Sequence, residues 1–158
     1  MLKRILLASI MTCLALAGTS CFEPSPPKAE YIDYEITNVH LQGIVVNFYF
    51  DVENPNPLPI DVSKYSYTIY INNREFLKES RAGFNLPANG RERITIPVTL
   101  RYDRVFGTAL SVLELIAQGK KSISFRIEGE LYAGTMGVTV GTPMKASGTI
   151  PLPESINR

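Results

Sequence analysis

The sequence predicts a mainly β protein: an immunoglobulin- or fibronectin-III-like sandwich of about seven strands, with one connecting helix near residues 103–118. Three observations point there. From residue 33 onward, apolar residues recur with period two, as on strands that bury one face. Clusters of Gly, Pro and Asn separate these runs at the short spacing of sandwich strands. A single stretch switches to helical spacing.

The clearest strand is Gly43 to Asn54, where Ile44, Val46, Phe48, Phe50 and Val52 share one face and Asn47, Asp51 and Glu53 the other, with Val45 and Tyr49 among them. A strand around Ile36 to Leu41 precedes it through a short turn at Gln42-Gly43. Alternating sets follow at Tyr65, Tyr67, Ile69 and Ile71, at Ile94, Ile96, Val98 and Leu100, and at Ile123, Phe125, Ile127 and Leu131. A last pair is expected at Val138-Thr139-Val140 and Ala146 to Leu152, with Gly134, Gly137 and Gly141 in hairpin turns. In the helix, Val105, Ala109, Val112 and Ile116 form the apolar stripe, Asp103 is the expected N-cap and Gly119 the residue past the C-terminus.

The N-terminus reads as an address. Met1-Leu-Lys-Arg is a short positive region, and Ile5 to Ala17 is an apolar run of 13 residues ending in small side chains, the pattern of a secretory signal. As a helix such a run spans about 20 Å against roughly 30 Å of hydrocarbon, so a retained membrane span is the poorer reading. The segment Leu16-Ala17-Gly18-Thr19-Ser20-Cys21 resembles the bacterial lipobox, which implies cleavage before Cys21 and acylation of its sulfur; Gly18 departs from the usual Leu. The competing cleavage site, Ala15-Leu16-Ala17, would leave Cys21 as an unpaired exported thiol.

The expected organisation is a signal peptide over 1–20, a tether over 21–30, one domain over 31–153 and a tail over 154–158. Pro24, Pro26 and Pro27 favour an extended spacer, expected to hold the domain some 20 to 30 Å off the membrane. Phe22, in place of the Asp that signals inner-membrane retention, favours the outer membrane, facing the periplasm or the cell surface. Without residues 1–20 the chain carries 14 basic and 15 acidic side chains, a formal charge of −1. That balance gives no field to attract nucleic acid.

The most distinctive feature is Asn54-Pro55-Asn56-Pro57-Leu58-Pro59-Ile60 at the end of the clearest strand. Prolines have no N–H and fix φ, so the ladder must stop there, and Asn54 and Asn56 can bond the backbone left unpaired. The motif reads as a strand terminator. With Leu86-Pro87-Ala88-Asn89-Gly90, the Ile94 to Val98 strand, the helix and the closing Gly148-Thr-Ile-Pro-Leu152, it resembles the LEA14-like family, the late embryogenesis abundant or water-stress and hypersensitive-response domain, over roughly residues 31–153. The resemblance implies a tethered, non-catalytic module in desiccation or osmotic stress. It also implies, as an alternative, a domain binding lipid or another apolar ligand; outer tyrosines or an edge strand would suit a third reading, a structural partner in an envelope protein complex.

Chemistry is scarce. His40 stands alone at a strand end, no His or Cys spacing fits a metal, and no cofactor motif is present, so no enzyme is expected. Asp51 and Glu53 share an outward face and read as solvated. Among the eight tyrosines, Tyr49 and Tyr70 lie opposite the apolar sets of their strands and are expected on an outer sheet face, where they could form a contact surface.

Overall fold

The computed structural model describes residues 24–106, 117–135 and 138–152, and among these described residues the chain forms seven antiparallel strands and a short helix after the fifth. The strands are β1 (Lys28–His40), β2 (Gly43–Glu53), β3 (Ile60–Ile71), β4 (Arg74–Leu86), β5 (Arg91–Arg101), β6 (Ser122–Thr135) and β7 (Val138–Pro151); α1 is Tyr102–Phe106. They form two sheets, ordered β1-β2-β5 and β4-β3-β6-β7. This is the predicted sandwich. The four alternating sets read from the sequence are buried against one another.

The middle of the core is aromatic. Phe48 of β2 meets Phe125 of β6 across the sandwich at 4.8 Å between ring centroids, and Tyr31 and Tyr34 of β1 close on Phe125 at 6.2 and 5.8 Å, edge to face. Gly148, opposite Phe125 in the β6–β7 ladder, leaves room for the ring: a Cβ there would lie 2.9 Å from it. A ligand held between the sheets would have to displace these contacts.

The four edge strands carry the devices that keep a sheet edge from pairing further. β5 has Pro97 and β7 has Pro143 and Pro151, residues confined to edges because they cannot donate to a ladder. β1 has two bulges, between Tyr31 and Asp33 and between Ile36 and Asn38, and Ile32 at the first is 43% exposed. β1 therefore begins at Lys28, well before the expected Ile36, because the bulges break its alternation. β4 was not expected at all. The expected final pair is one continuous strand, β7, and Gly141 sits within it opposite Tyr132 rather than in a turn.

The helix starts at Tyr102 instead of after an Asp103 cap, because β5 runs directly into it and the Tyr102 N–H is held by the Gln42 carbonyl at 3.0 Å. Asp103 pairs with Arg101 at 3.0 Å. Of the expected helical stripe, Val105 is buried in the core, and Ala109, Val112 and Ile116 lie outside the described residues; Gly119 has φ of 76°.

The β3–β4 hairpin turns on Asn72-Asn73, both with positive φ, 49° and 64°, as a two-residue type I′ turn requires. Asn73→Val is expected to lower stability by about 1–2 kcal/mol and Asn73→Gly to leave it unchanged or raise it, read by urea denaturation.

Candidate functional site

The Asn-Pro-Asn-Pro motif forms the connection from β2 to β3, where the chain crosses between sheets. Three prolines end the ladder at Glu53, and the two asparagines turn inward: Asn54 is fully buried and Asn56 is 3% exposed. A buried amide is costly unless its hydrogen-bonding capacity is used. Here it is used fully at Asn54. Its Nδ2 donates to the carbonyls of Leu58 at 2.8 Å and Pro87 at 2.9 Å, while its Oδ1 accepts from the N–H and the Nδ2 of Asn56, both at 2.9 Å.

The network reaches beyond its own loop. The Asn54 N–H donates to the Gly90 carbonyl at 2.9 Å and the Asn89 N–H to the Asn56 carbonyl at 2.8 Å, stitching the β2–β3 connection to the β4–β5 connection. Asn56 exchanges two bonds with Ser25: its Nδ2 donates to the Ser25 carbonyl at 2.7 Å, and its Oδ1 accepts the Ser25 N–H at 2.8 Å. Residues 24–27, expected as free tether, are thus held on the domain, and Pro27 is buried. Pro55, Pro57 and Pro59 surround the hub, with Pro57 and Pro59 exposed. Local reasoning anticipated amide-to-backbone bonds but not partners 31 to 33 residues away.

The two tyrosines expected to form a contact surface are not brought together. Tyr49 stands on the outer face of the β1-β2-β5 sheet and donates its hydroxyl to Glu35 Oε2 at 2.7 Å, a bond that raises its pKa. Tyr70 stands on the outer face of the other sheet, with the Arg126 guanidinium 4.0 Å over its ring. The sandwich lies between them.

The outward carboxylates are paired across strands. Asp51 accepts Arg93 through two bonds of 2.7 and 3.1 Å, and Glu53 accepts Arg91 at 3.1 Å. The Arg93 bonds hold the Asp51 carboxyl below the usual range, so it is a poor general base. His40 is exposed at the end of β1. Among the described residues no cluster of His, Cys, Asp and Glu could hold a metal, and no helix is long and apolar enough to cross a membrane. Cys21 lies outside the described residues.

One buried polar group escaped the sequence reading. Tyr67, 2% exposed, donates to Glu79 Oε2 at 2.7 Å and accepts from Arg81 Nε at 3.0 Å. Burial, with the Glu79 bond second, pushes its pKa up to about 12. A raised folded-state pKa contributes stability in full below the unfolded value near 10 and loses it as pH rises through 12. Alkaline unfolding between those values is therefore expected to coincide with tyrosinate absorbance, and Tyr67→Phe should remove part of the loss.

The fold and the hub define a fibronectin-III-like β-sandwich domain whose buried polar groups hold loops together. The chain belongs to the LEA_2 family of late embryogenesis abundant proteins, whose profile matches residues 49–154. It is 25% identical over 145 residues to an uncharacterized protein of Methanocaldococcus jannaschii, covering 90% of this chain and 79% of that one. Among solved structures, a late embryogenesis abundant protein superimposes with a TM-score of 0.63 at 18% identity, covering 96% of this chain and 86% of the other. A protein of Arabidopsis thaliana gives 0.62 at 19%, covering 90% and 92%, and one of Archaeoglobus fulgidus 0.51 at 15%, covering 82% and 97%. At these identities the solved structures share the fold.

Proposed function

We propose that this chain is a non-catalytic stress-protective module, acting in desiccation or osmotic stress, held at a bacterial cell envelope by acyl chains on Cys21 and facing the periplasm or the cell surface from the outer membrane. The family match over residues 49–154 carries the stress reading. The cross-strand pairing of Asp51 and Glu53 with arginines supports the non-catalytic part. The signal-like run and the small residues before Cys21 support the anchor.

Two acyl chains give stable anchoring where one is marginal, so loss of the Cys21 sulfur should release the domain from the membrane. A strain lacking the gene is expected to survive drying or osmotic shock less well, with rescue by the wild-type gene and weaker rescue by Cys21→Ser. Equal survival of all strains under both stresses would sink the proposal.

A further inference from the structure

The antiparallel strands place the entry to β1 and the β2–β3 and β4–β5 connections at one end of the sandwich, and the Asn54–Asn56 network bonds these three segments together. Pro24-Ser-Pro-Pro, Asn54-Pro-Asn-Pro-Leu-Pro and Pro87-Ala-Asn-Gly contain no charged residue. At the other end, Asp103, Arg104, Lys120 and Lys121 flank the β5–β6 connection. The uncharged end exposes Pro24, Pro26, Pro57, Leu58, Pro87 and Val140, with Leu58 40% and Val140 43% exposed. Val140 adjoins the proline segment, since Pro24, Pro26 and Pro27 line a small hollow with Ile60, Ala133 and Val140.

From these observations the geometry points to a membrane-docking surface: the proline-rich end of the sandwich rests on the lipid headgroups beside the anchor. The inference rests on the proposed acylation of Cys21 and goes beyond it, because an anchor alone would allow a freely hanging domain. Chain length argues first. Only four residue steps separate Ser25, bound by Asn56, from Cys21, at most about 14 Å of extended chain. Headgroups occupy roughly 5–7 Å per leaflet, so the end cannot stand far above them while the Asn56 bonds hold. The spacing of 20 to 30 Å expected from the sequence counted residues that are in fact fixed to the domain.

Chemistry argues second. A surface that leaves water must not strand charges or unpaired N–H groups. Seven of the 11 prolines lie in these three segments and have no N–H to strand. Of the seven N–H groups in these segments, those of Ser25, Asn54, Asn56, Asn89 and Gly90 are donated within the protein, which leaves those of Leu58 and Ala88 to be met by headgroup oxygens. The charges at the strand ends, Lys28, Glu53, Asp61 and Arg91, are two of each sign, and Glu23, next to Pro24 in the chain, adds a negative one, so no excess of positive charge calls for anionic lipid.

The test uses the acylated full chain, extracted from bacterial membranes and reconstituted in phosphatidylcholine vesicles containing nitroxide-headgroup lipid. Acylation occupies the Cys21 sulfur, so a fluorophore labels only an introduced thiol: Leu58→Cys at the proline-rich end, or Leu41→Cys, 62% exposed in the β1–β2 turn at the opposite end. Quenching should be several-fold stronger at position 58 than at 41. In Leu58→Glu, with the probe at Val140→Cys and folding checked by circular dichroism, it should fall several-fold relative to Val140→Cys alone. Equal quenching at 58 and 41 on protein whose intact mass includes the acyl chains, or no fall in Leu58→Glu, overturns the docking and leaves the anchoring reading standing. A mass without acyl chains overturns both.

Discussion

Asn54→Ala is expected to lower the unfolding free energy by about 4 kcal/mol, since each buried group left without a partner costs about 1–3 kcal/mol. The substitution strips the buried Asn56 N–H of its acceptor and the part-buried Leu58 and Pro87 carbonyls of a donor. For a domain of this size that corresponds to a fall in melting temperature of roughly 10–15 °C. Asn54→Asp keeps the acceptor but loses both donor hydrogens, so it should fall well below wild type too. Calorimetry decides the point. A loss under about 1 kcal/mol in Asn54→Ala would mean that water replaces the amide and that the loops are held by packing.

Phe125→Ala is expected to cost as much, about 3–5 kcal/mol. Phe125 is 4% exposed, and its ring is the meeting point of Phe48, Tyr31 and Tyr34, so truncation removes buried area and three ring contacts together. Phe125→Leu should cost less, because it refills most of the volume. Near-ultraviolet circular dichroism should lose tyrosine signal in the alanine variant, since Tyr31 and Tyr34 lose the surface that orders them. Urea denaturation gives the energy; equal stability of the alanine and leucine variants would remove the aromatic cluster as the organising contact between sheets.

The fold was legible where side-chain alternation follows burial without interruption. β2, β5 and β6 each present an apolar face to one core on the residues that period two selects, and β3 does so from Tyr65 on, after a register shift that puts Ile60 and Val62 out of phase with that set. β1 was half legible: the bulge at Ile32 puts Tyr31 and Tyr34 on the same inner face three residues apart, a spacing that no regular strand has. β4 was illegible because its inward positions include Glu79 and Arg81, which serve the Tyr67 hydroxyl rather than the core. β7 seemed to be two strands because Gly141 and Pro143 interrupt its apolar run; its edge position tolerates both.

The site was legible as a motif and not as a network. Prolines announce the end of a strand from their covalent structure alone, but the partners of Asn54 and Asn56 depend on which loops the topology brings to the same end. A usable signal did exist. Leu86-Pro87-Ala88-Asn89-Gly90 is a second uncharged, proline-containing turn, and the β2–β3 and β4–β5 connections of an antiparallel sandwich fall at the same end. Asn89 in that turn has φ of 49°, and its N–H donates to the Asn56 carbonyl. Tyr49 and Tyr70 show the converse limit: period two places each on an outer face, yet says nothing of which sheet that face belongs to.

Intact-mass spectrometry of the exported chain tests the central claim most directly, that the uncharged end of this sandwich is fastened to a bilayer through Cys21. A polypeptide beginning at Cys21 and heavier than its sequence by two or more acyl chains is the expected result. A chain beginning at Gly18, with a free thiol at Cys21 and no added mass, would contradict it.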